Sequence, residues 1–295
     1  MKFGAIEAGG TKFVCAIGDE TGSIIQKAVF PTTTPGETFL KVFDFFRNKE
    51  IDALGIGSFG PIDIDPKSEK YGFITSTPKP GWGQVDFLGS MKSKLNVPIG
   101  FDTDVNAAAL GEVIWGAAKG LDSCLYMTVG TGIGVGAIVD GKTLKGFTHP
   151  EMGHILVRKN HSDEFQGVCP YHGDCLEGMA SGPAITARWG KKGQELSDNE
   201  KVWELEADYL AQALMAYTLI LSPHRIVIGG GVMKQSQLFP LIRKKVFEKL
   251  NGYVQHPIII EKIDEWIVPP GLGDEAGVKG ALALAAKSVR GELPM

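Results

Sequence analysis

The chain opens with short apolar or alternating segments that are separated by turn residues, a pattern typical of β-strands. KFGAIEA, KFVCAIGD and IIQKAVF, residues 2–8, 12–19 and 24–30, predict three strands. GGT and ETGS between them predict turns. No helix follows the first glycines, so the predicted order is strand, turn, strand, turn, strand.

Helical spacing appears next, at Phe39, Leu40, Phe43 and Phe46, and predicts a helix within residues 34–50. The following segments alternate between strand and helix patterns. They are a strand with a Gly/Pro loop (51–63), a loop (71–86), a strand (97–104) and a helix rich in small residues (105–120).

Residues 124–142, CLYMTVGTGIGVGAIVDGK, repeat the plan of residues 3–22: strand, Gly/Thr turn, strand, polar Gly turn. One such hairpin in each half of the chain indicates a duplicated α/β domain. The second half then predicts a long helix that starts with a Ser197/Glu200 capping box. Its apolar positions are Val202, Leu205, Tyr209, Ala213, Tyr217 and Leu221. A strand (225–232), a helix (233–250) and a closing helix (271–289) complete the pattern.

Composition excludes several classes of protein. The 295 residues carry a net charge of -4 with no basic block, which disfavours nucleic acid as a partner. No apolar stretch approaches the roughly 18 residues of a membrane span, and MKFGAIEAGG is not a signal peptide. Four cysteines in a chain of this length fit a reducing cytoplasm. We therefore expect a cytoplasmic enzyme or binding protein without a membrane partner.

Three glycine-rich turns are candidates for anion binding. EAGGTK (7–12) and TVGTGIGVGA (128–137) lie between strands, and IGGGV (228–232) lies between a strand and a helix. Such turns free backbone N–H groups for phosphate oxygens. Each alone could be only a tight turn, and none matches the phosphate loop or the dinucleotide fingerprint that opens a helix. Together they indicate one nucleotide in a cleft.

Asp104 in FDTDVN follows a strand and precedes a helix. It could be an ordinary N-cap. A carboxylate at this end of a strand could also take a proton from a substrate hydroxyl.

The segment VCPYHGDCLE places Cys169, His172 and Cys175 three residues apart, with His149 or His154 as a fourth ligand. Two thiolates and two imidazoles describe a closed structural zinc site. Buried free thiols or a redox pair are the alternatives, and the spacing does not match a redox motif.

These motifs together resemble the ROK family of sugar kinases and repressors over nearly the whole chain. IEAGGTK, SFGPID with PKPGW, FDTDVNAAALGE, TVGTGIGVGAIVDGK, HPEMGHI, CLEGMASGPAI and IVIGGGV occur in the family's order. The resemblance implies an actin-like ATPase fold of two ribonuclease-H-like α/β domains around a cleft. It places the first domain at residues 1–115 and the larger second domain at 116–276. The C-terminal helix, about 277–295, is expected to pack back on the first domain.

The resemblance also implies roles for individual residues. Asp104 matches the catalytic base, and His154 rather than His149 becomes the fourth metal ligand. Thr103, Glu151, His154 and Glu177 match sugar-site positions. The positions that match nucleotide and phosphate contacts are Gly9, Gly10, Thr11, Lys12, Thr131, Gly132, Pro183, Gly230, Gly231 and Lys234.

Three departures from the usual family pattern resemble its fructokinase branch. They are Glu7 for Asp, Thr103 for Asn, and the C-x-x-H-x-x-C form of the cysteine segment. The resemblance implies ATP-dependent phosphorylation of fructose, with Mg²⁺, a structural Zn²⁺ and a homodimer. Mannose, glucose and N-acetylmannosamine remain alternative substrates. A sugar-sensing regulator is disfavoured, because the first strand begins near Lys2 and leaves no room for a DNA-binding domain.

Overall fold

The computed structural model describes residues 1–292. Its twelve strands are β1 (Lys2–Ala8), β2 (Lys12–Asp19), β3 (Ile24–Pro31), β4 (Ala53–Ser58), β5 (Phe73–Ile74), β6 (Val85–Asp86), β7 (Ile99–Thr103), β8 (Cys124–Val129), β9 (Ile133–Val139), β10 (Lys142–Thr143), β11 (Arg225–Gly229) and β12 (Ile267–Val268). Its α-helices are α1 (Pro35–Phe46), α2 (Phe87–Lys92), α3 (Asp104–Trp115), α4 (Leu176–Ala180), α5 (Gly182–Trp189), α6 (Glu200–Leu221), α7 (Leu238–Leu250), α8 (Pro257–Ile260), α9 (Ile263–Trp266) and α10 (Ala276–Val289). Short 3₁₀ turns lie at Met152–His154, Gly193–Leu196, Val232–Lys234 and Gly273–Glu275.

Ten of these strands form two five-stranded sheets with the same plan. The first has the order β3-β2-β1-β4-β7, and the second has the order β10-β9-β8-β11-β12. In each sheet an antiparallel meander is extended by two parallel strands. The duplication inferred from the glycine hairpins is therefore present in the strand order. We call residues 1–115 with α10 the first half, and residues 124–268 the second half.

Helices α3 and α10 lie between the two sheets. Val278, Ala281, Leu282 and Ala285 of α10 pack on the first sheet, whereas α3 also contacts β8 and β9. Glycines allow this close approach: a Cβ on Gly55 would lie 1.8 Å from the carbonyl oxygen of Ala281. The helix pair thus couples the two sheets through backbone contact, and α10 packs on the first sheet as expected. The proposed domain boundaries themselves stay a prediction.

The apolar periods identified buried positions well on the long helix and less well elsewhere. Val202, Tyr209, Ala213 and Tyr217 of α6 are buried. Leu40 of α1 is 64% exposed, because the buried face of this helix is formed by its neighbours Phe39, Val42 and Phe46.

Several boundaries differ from the sequence-based expectation. The capping box at Ser197 and Glu200 is wrong, because α6 begins at Glu200 after Asn199 and has no side-chain cap. The helix expected over 233–250 begins at Leu238, since Val232–Lys234 forms a 3₁₀ turn first. The segment 71–86 contains two paired two-residue strands rather than only loop. The closing helix begins at Ala276 and ends at Val289, and residues 293–295 of the expected C-terminal helix lie outside the described residues. Within residues 1–292, no helix has both the length and the apolar character of a membrane span.

Candidate functional site

Asp104 is the first residue of α3, at the carboxyl end of β7. The cap of this helix is Thr103, whose Oγ1 accepts a hydrogen bond from the backbone N–H of Asn106 at 3.1 Å. The N-cap role considered for Asp104 is therefore filled by its neighbour. Asp104 accepts one hydrogen bond, from the N–H of Val105 at 2.9 Å. Its carboxylate keeps acceptor capacity for a ligand.

The surroundings of Asp104 raise the pKa of its carboxyl group above the value of a free aspartate in water. Burial, together with the negative charges of Glu7 and Glu151, raises its pKa to about 7 against the opposing hydrogen bond from Val105. A carboxyl group that titrates near neutral pH can accept a proton from a hydroxyl and release it again. Asp104 therefore has the electrostatic character of a general base.

Glu7, at the end of β1, is the first acidic neighbour of Asp104. Burial raises its pKa, and the charge of Lys12 and the backbone N–H of Val278 act in the opposite direction. A Cβ on Gly277 would lie 2.6 Å from the carboxyl carbon of Glu7, so only a glycine at the start of α10 leaves room for this side chain. The longer glutamate thus fills the space between β1 and α10.

The two predicted phosphate hairpins adopt comparable turns. The N–H of Gly9 donates to the carbonyl of Lys12, and the N–H of Gly130 donates to the carbonyl of Gly132, both at 2.9 Å. Within residues 1–292, the backbone N–H groups at the tips of these turns have no acceptor. These free donors are on Gly10, Thr11, Thr131 and Gly132. Unpaired N–H groups at exposed hairpin tips can bind an anion.

The two hairpins are supported differently. The first is fixed by Thr32, whose Oγ1 donates to the carbonyl of Gly9 at 2.7 Å. The second is fixed by Glu177, whose Oε2 accepts the N–H of Ile133 at 2.9 Å. The N–H of Gly182, at the start of α5, also donates to the carbonyl of Gly130 at 2.8 Å.

The third glycine turn lies beside the second hairpin. Gly230 has a φ of +98°, and a Cβ there would lie 2.3 Å from the carbonyl oxygen of Val129. A side chain is therefore excluded at this position. Gly231 is exposed, and exposed Lys234 forms an ion pair with Asp274 at 3.1 Å. Pro183 is exposed in the first turn of α5, next to Gly182, whose N–H donates to the second hairpin.

Four side chains converge as the cysteine segment predicted: His154, Cys169, His172 and Cys175 have their ligand atoms within 4.8 Å of one another. Nδ1 of His154 lies 3.6 Å from Sγ of Cys169 and 3.5 Å from Sγ of Cys175. Nδ1 of His172 lies 3.7 Å from Sγ of Cys169. Ordinary zinc bond lengths in a tetrahedron separate sulfur from nitrogen by about 3.5 Å. The spacing of these atoms therefore fits a tetrahedral metal ion.

The cluster adjoins the predicted sugar-site acids. Nε2 of His154 lies 3.9 Å from Oε1 of Glu177, on the ring edge opposite the cluster. This separation is longer than a hydrogen bond, so the carboxylate faces the ring edge without bonding to it. Glu177 thus lies close both to the cluster and to the second phosphate hairpin. Glu151 precedes the 3₁₀ turn that carries His154.

His149 does not belong to the cluster and has a different position. It is 4% exposed, and its Nε2 accepts the backbone N–H of Ile62 at 3.0 Å, which joins the two halves. Its Nδ1 lies 3.5 Å from Oε1 of Glu151. Sequence reasoning had weighed His149 only as a metal ligand and missed this contact. No local signal could have revealed it, because Ile62 lies 87 residues away in the chain.

Comparisons with known proteins identify the family and the fold of the chain. The model of the ROK family matches residues 3–288. The chain is 49% identical to a fructokinase of Pediococcus pentosaceus over 98% of this chain and 99% of the relative. It is 46% identical to a fructokinase of Zymomonas mobilis over 96% of both chains. The crystal structure of a ROK hexokinase from Thermus thermophilus superposes with a TM-score of 0.80 at 26% identity, covering 99% of this chain and 100% of that one. The present chain thus has the expected actin-like ATPase fold, and it belongs to the ROK family.

Proposed function

We propose that this protein is a sugar kinase that transfers the terminal phosphoryl group of ATP to D-fructose, giving fructose 6-phosphate and ADP. The observation that carries the proposal is Asp104, a carboxyl with a pKa of about 7 that is not used as a helix cap. Its pKa is raised by the charges of Glu7, next to the first phosphate hairpin, and of Glu151, which precedes the turn that carries His154. Relatives named fructokinase, at 46% and 49% identity, support fructose as the substrate.

In the proposed reaction, Asp104 accepts the proton of the sugar's 6-hydroxyl as that oxygen attacks the terminal phosphorus. The new O–P bond forms while the bond from phosphorus to the β-γ bridging oxygen breaks, and ADP leaves with the electron pair. Because phosphoryl transfer passes through a loose transition state, positioning and charge neutralisation contribute most of the rate enhancement. The free N–H groups of Gly10, Thr11, Thr131 and Gly132 would bind the phosphate oxygens.

Magnesium, when bound, would neutralise charge on the phosphates. It prefers one or two carboxylates together with phosphate oxygens and water. Glu7 is an acid two residues before Gly9 of the first hairpin, so its carboxylate fits this ion. We propose that Glu7 would hold it, directly or through water, which leaves Asp104 free to act as the base.

The sugar would lie between the two halves. Glu151 and Glu177 offer carboxylate oxygens to sugar hydroxyls, and Thr103 keeps its hydroxyl proton for donation while it caps α3. Buried polar groups that need a hydroxyl partner discriminate strongly against sugars that lack it. Glu151 is held by His149, so its direction is fixed from the first half as well as from the second.

The four-residue cluster would hold a structural zinc ion, because two thiolates and two imidazoles leave no open coordination position. The ion would act on the reaction only by placement. His154 faces Glu177, and Glu151 lies three residues before His154. A bound ion would therefore restrain both sugar-site acids.

We retain the homodimer and the cytoplasmic location as proposals. Large apolar side chains near the cluster are exposed and support an interface between two copies. Phe147 is 95% exposed, Leu156 78% and Tyr171 63%. Light scattering after size exclusion should give twice the chain's 31.7 kDa mass, and a monomer would contradict the dimer.

An ADP-release assay tests the substrate. Fructose, mannose, glucose and N-acetylmannosamine are compared by kcat/KM, and we expect fructose to have the highest value. A higher value for another of these sugars would refute the choice of fructose. No ADP release with any of them would refute the kinase function. Asp104→Asn serves as the control for contaminating activity.

A further inference from the structure

The polypeptide passes between the two halves twice, and the two connections lie side by side. The first, residues 116–123, joins α3 to β8, and the second, residues 269–275, joins β12 to α10. A Cβ on Gly271 of the second connection would lie 2.4 Å from the backbone nitrogen of Ala117 in the first. The two backbones therefore touch at this point, and any relative rotation of the halves must bend both connections together.

One buried carboxylate binds both connections. Glu112, in the last turns of α3, is 0% exposed. Its Oε2 accepts the N–H of Ala117 at 2.6 Å and that of Gly271 at 3.0 Å, and its Oε1 accepts the N–H of Leu272 at 3.0 Å. A buried carboxylate is costly unless such donors compensate it. Three N–H donors from two separate segments supply that compensation.

The second half is attached to the same point. Nη1 of Arg225, the first residue of β11, donates to the carbonyl of Ala117 at 2.8 Å. The N–H of Ala118 donates to the backbone carbonyl of Glu112 at 3.1 Å, which continues the turn after α3. The first connection is thus bound on one side by α3 and on the other side by the second sheet.

Glu112 shares its helix with Asp104. Their separation of eight positions corresponds to about 12 Å along an α-helix. One end of α3 carries the candidate base, and the other end holds both connections. Because a helix of this length is stiff, the direction of Asp104 relative to the second half depends on how firmly the connections are held.

We infer that Glu112 is a positioning residue that fixes both connections to α3 and so defines the axis about which the two halves close over nucleotide and sugar. The inference rests on the proposed kinase function, since phosphoryl transfer requires hairpins from both halves to meet at one triphosphate. Closure around substrates is a common step in such enzymes, and hinge substitutions often change kcat and KM together.

Glu112→Gln tests the inference, because it keeps the size of the side chain. The amide nitrogen cannot accept, so at least one backbone N–H of the connections loses its partner. Glu206→Gln is a matched control: Glu206 is also buried on a helix, at 1% exposed, and its carboxylate oxygens have no hydrogen-bond partner within residues 1–292. Its carboxylate therefore makes no hydrogen bond to either connection within residues 1–292.

Two readouts are compared for the wild type and both variants. The first is kcat and KM for fructose and ATP, measured well below each melting temperature. The second is the radius of gyration by small-angle X-ray scattering, without ligand and with fructose, magnesium and the ATP analogue AMPPNP. We expect Glu112→Gln to lose about tenfold or more in kcat and much of the ligand-induced compaction. Glu206→Gln should match the wild type in both.

Wild-type kcat and compaction in Glu112→Gln would overturn the inference, whatever its melting temperature, because the side chain would then only stabilise the fold. A wild type that does not compact with ligands would also overturn it. If Glu112→Gln does not fold, Gly271→Ala is judged by the same outcomes, since its Cβ separates the connections without altering Glu112. A wild type that compacts but phosphorylates no sugar would instead refute the proposed function, and the scattering comparison would still decide the role of Glu112.

Discussion

The two halves have the same strand order but hold their site residues by different means. In the first half, Glu7 is the second-last residue of β1 and Asp104 begins α3, so regular elements place both acids. In the second half, Glu151 and His154 lie on an irregular segment. Their positions depend on the four-residue cluster and on the contact between His149 and Ile62.

The difference shows that two halves with the same topology can hold their site residues in place by different kinds of contact. A strand end is fixed by its sheet hydrogen bonds and by the core beneath it, with no ligand required. An irregular segment has few such restraints, and cross-links between side chains must replace them. Changes to the site acids of the first half should therefore lower activity without destabilising the fold, whereas changes in the cluster should lower both stability and activity.

The largest expected effect is that of Asp104→Asn. Removing a general base typically costs about 10²–10⁴-fold in rate, so kcat should fall by this factor while ATP still binds. Above pH 7 the variant should also melt at a higher temperature, because it lacks a buried charge. Steady-state kinetics and calorimetry at pH 8 measure both effects. Full activity would refute the assignment of the base, and a large loss of stability would refute the contrast between the halves.

Removal of the cluster metal, in the second half, is expected to lower both the stability and the activity of the protein. Chelation or Cys175→Ser should lower the free energy of unfolding by about 3 kcal/mol, which corresponds to roughly 6–10 °C. Activity should fall about 10²-fold, because small displacements of substrate-positioning groups have effects of that size. Cys15→Ala alters a buried cysteine of the first half and is the control. The melting temperature of Cys15→Ala should fall on chelation as much as that of the wild type. If chelation leaves the melting temperature of the wild type unchanged, the structural role of the cluster metal is contradicted.

The pH dependence of kcat/KM should reflect the titration of Asp104, in the first half. With a pKa of about 7, Asp104 loses its function as a base on acidification, so log kcat/KM should fall with unit slope below pH 7, about tenfold per pH unit. The folded-state pKa lies above the unfolded value near 3.9, so folding binds a proton. This contribution to stability is full below about pH 4 and is lost as pH rises through about 7. Asp104→Asn should remove it, and an unchanged pH profile of unfolding in that variant would assign the effect to another group.

Much of the fold could be predicted because it is encoded in local patterns. The glycine hairpins at Gly9–Thr11 and Gly130–Gly132 indicated the duplicated sheets. Apolar spacing predicted α1 and α6, and runs of small residues predicted α3 and α10. Helix starts were less predictable. The Ser197/Glu200 pair has the right residue types for a capping box, but α6 begins without a side-chain cap. Caps depend on where the preceding chain enters, which packing decides.

The site residues also divide into those that the local sequence predicted and those that it did not. Cys169, His172 and Cys175 are close in sequence, so their spacing alone indicated a metal site. The choice of His154 over His149 came from family resemblance, and the cluster geometry agrees with it. The roles of His149 and Glu112 could not be foreseen, since their partners lie 87 and up to 160 residues away.

The sequence by itself determined the two hairpins, the acid at the end of β7 and three of the four cluster ligands, because each depends on residues within a few positions of one another. Only the tertiary structure decided that Thr103 caps α3 and leaves Asp104 available, that His149 joins the halves, and that Glu112 holds both connections. These facts depend on hydrogen bonds that form only when the chain is folded, since each polar group takes the partner that packing brings within about 3 Å.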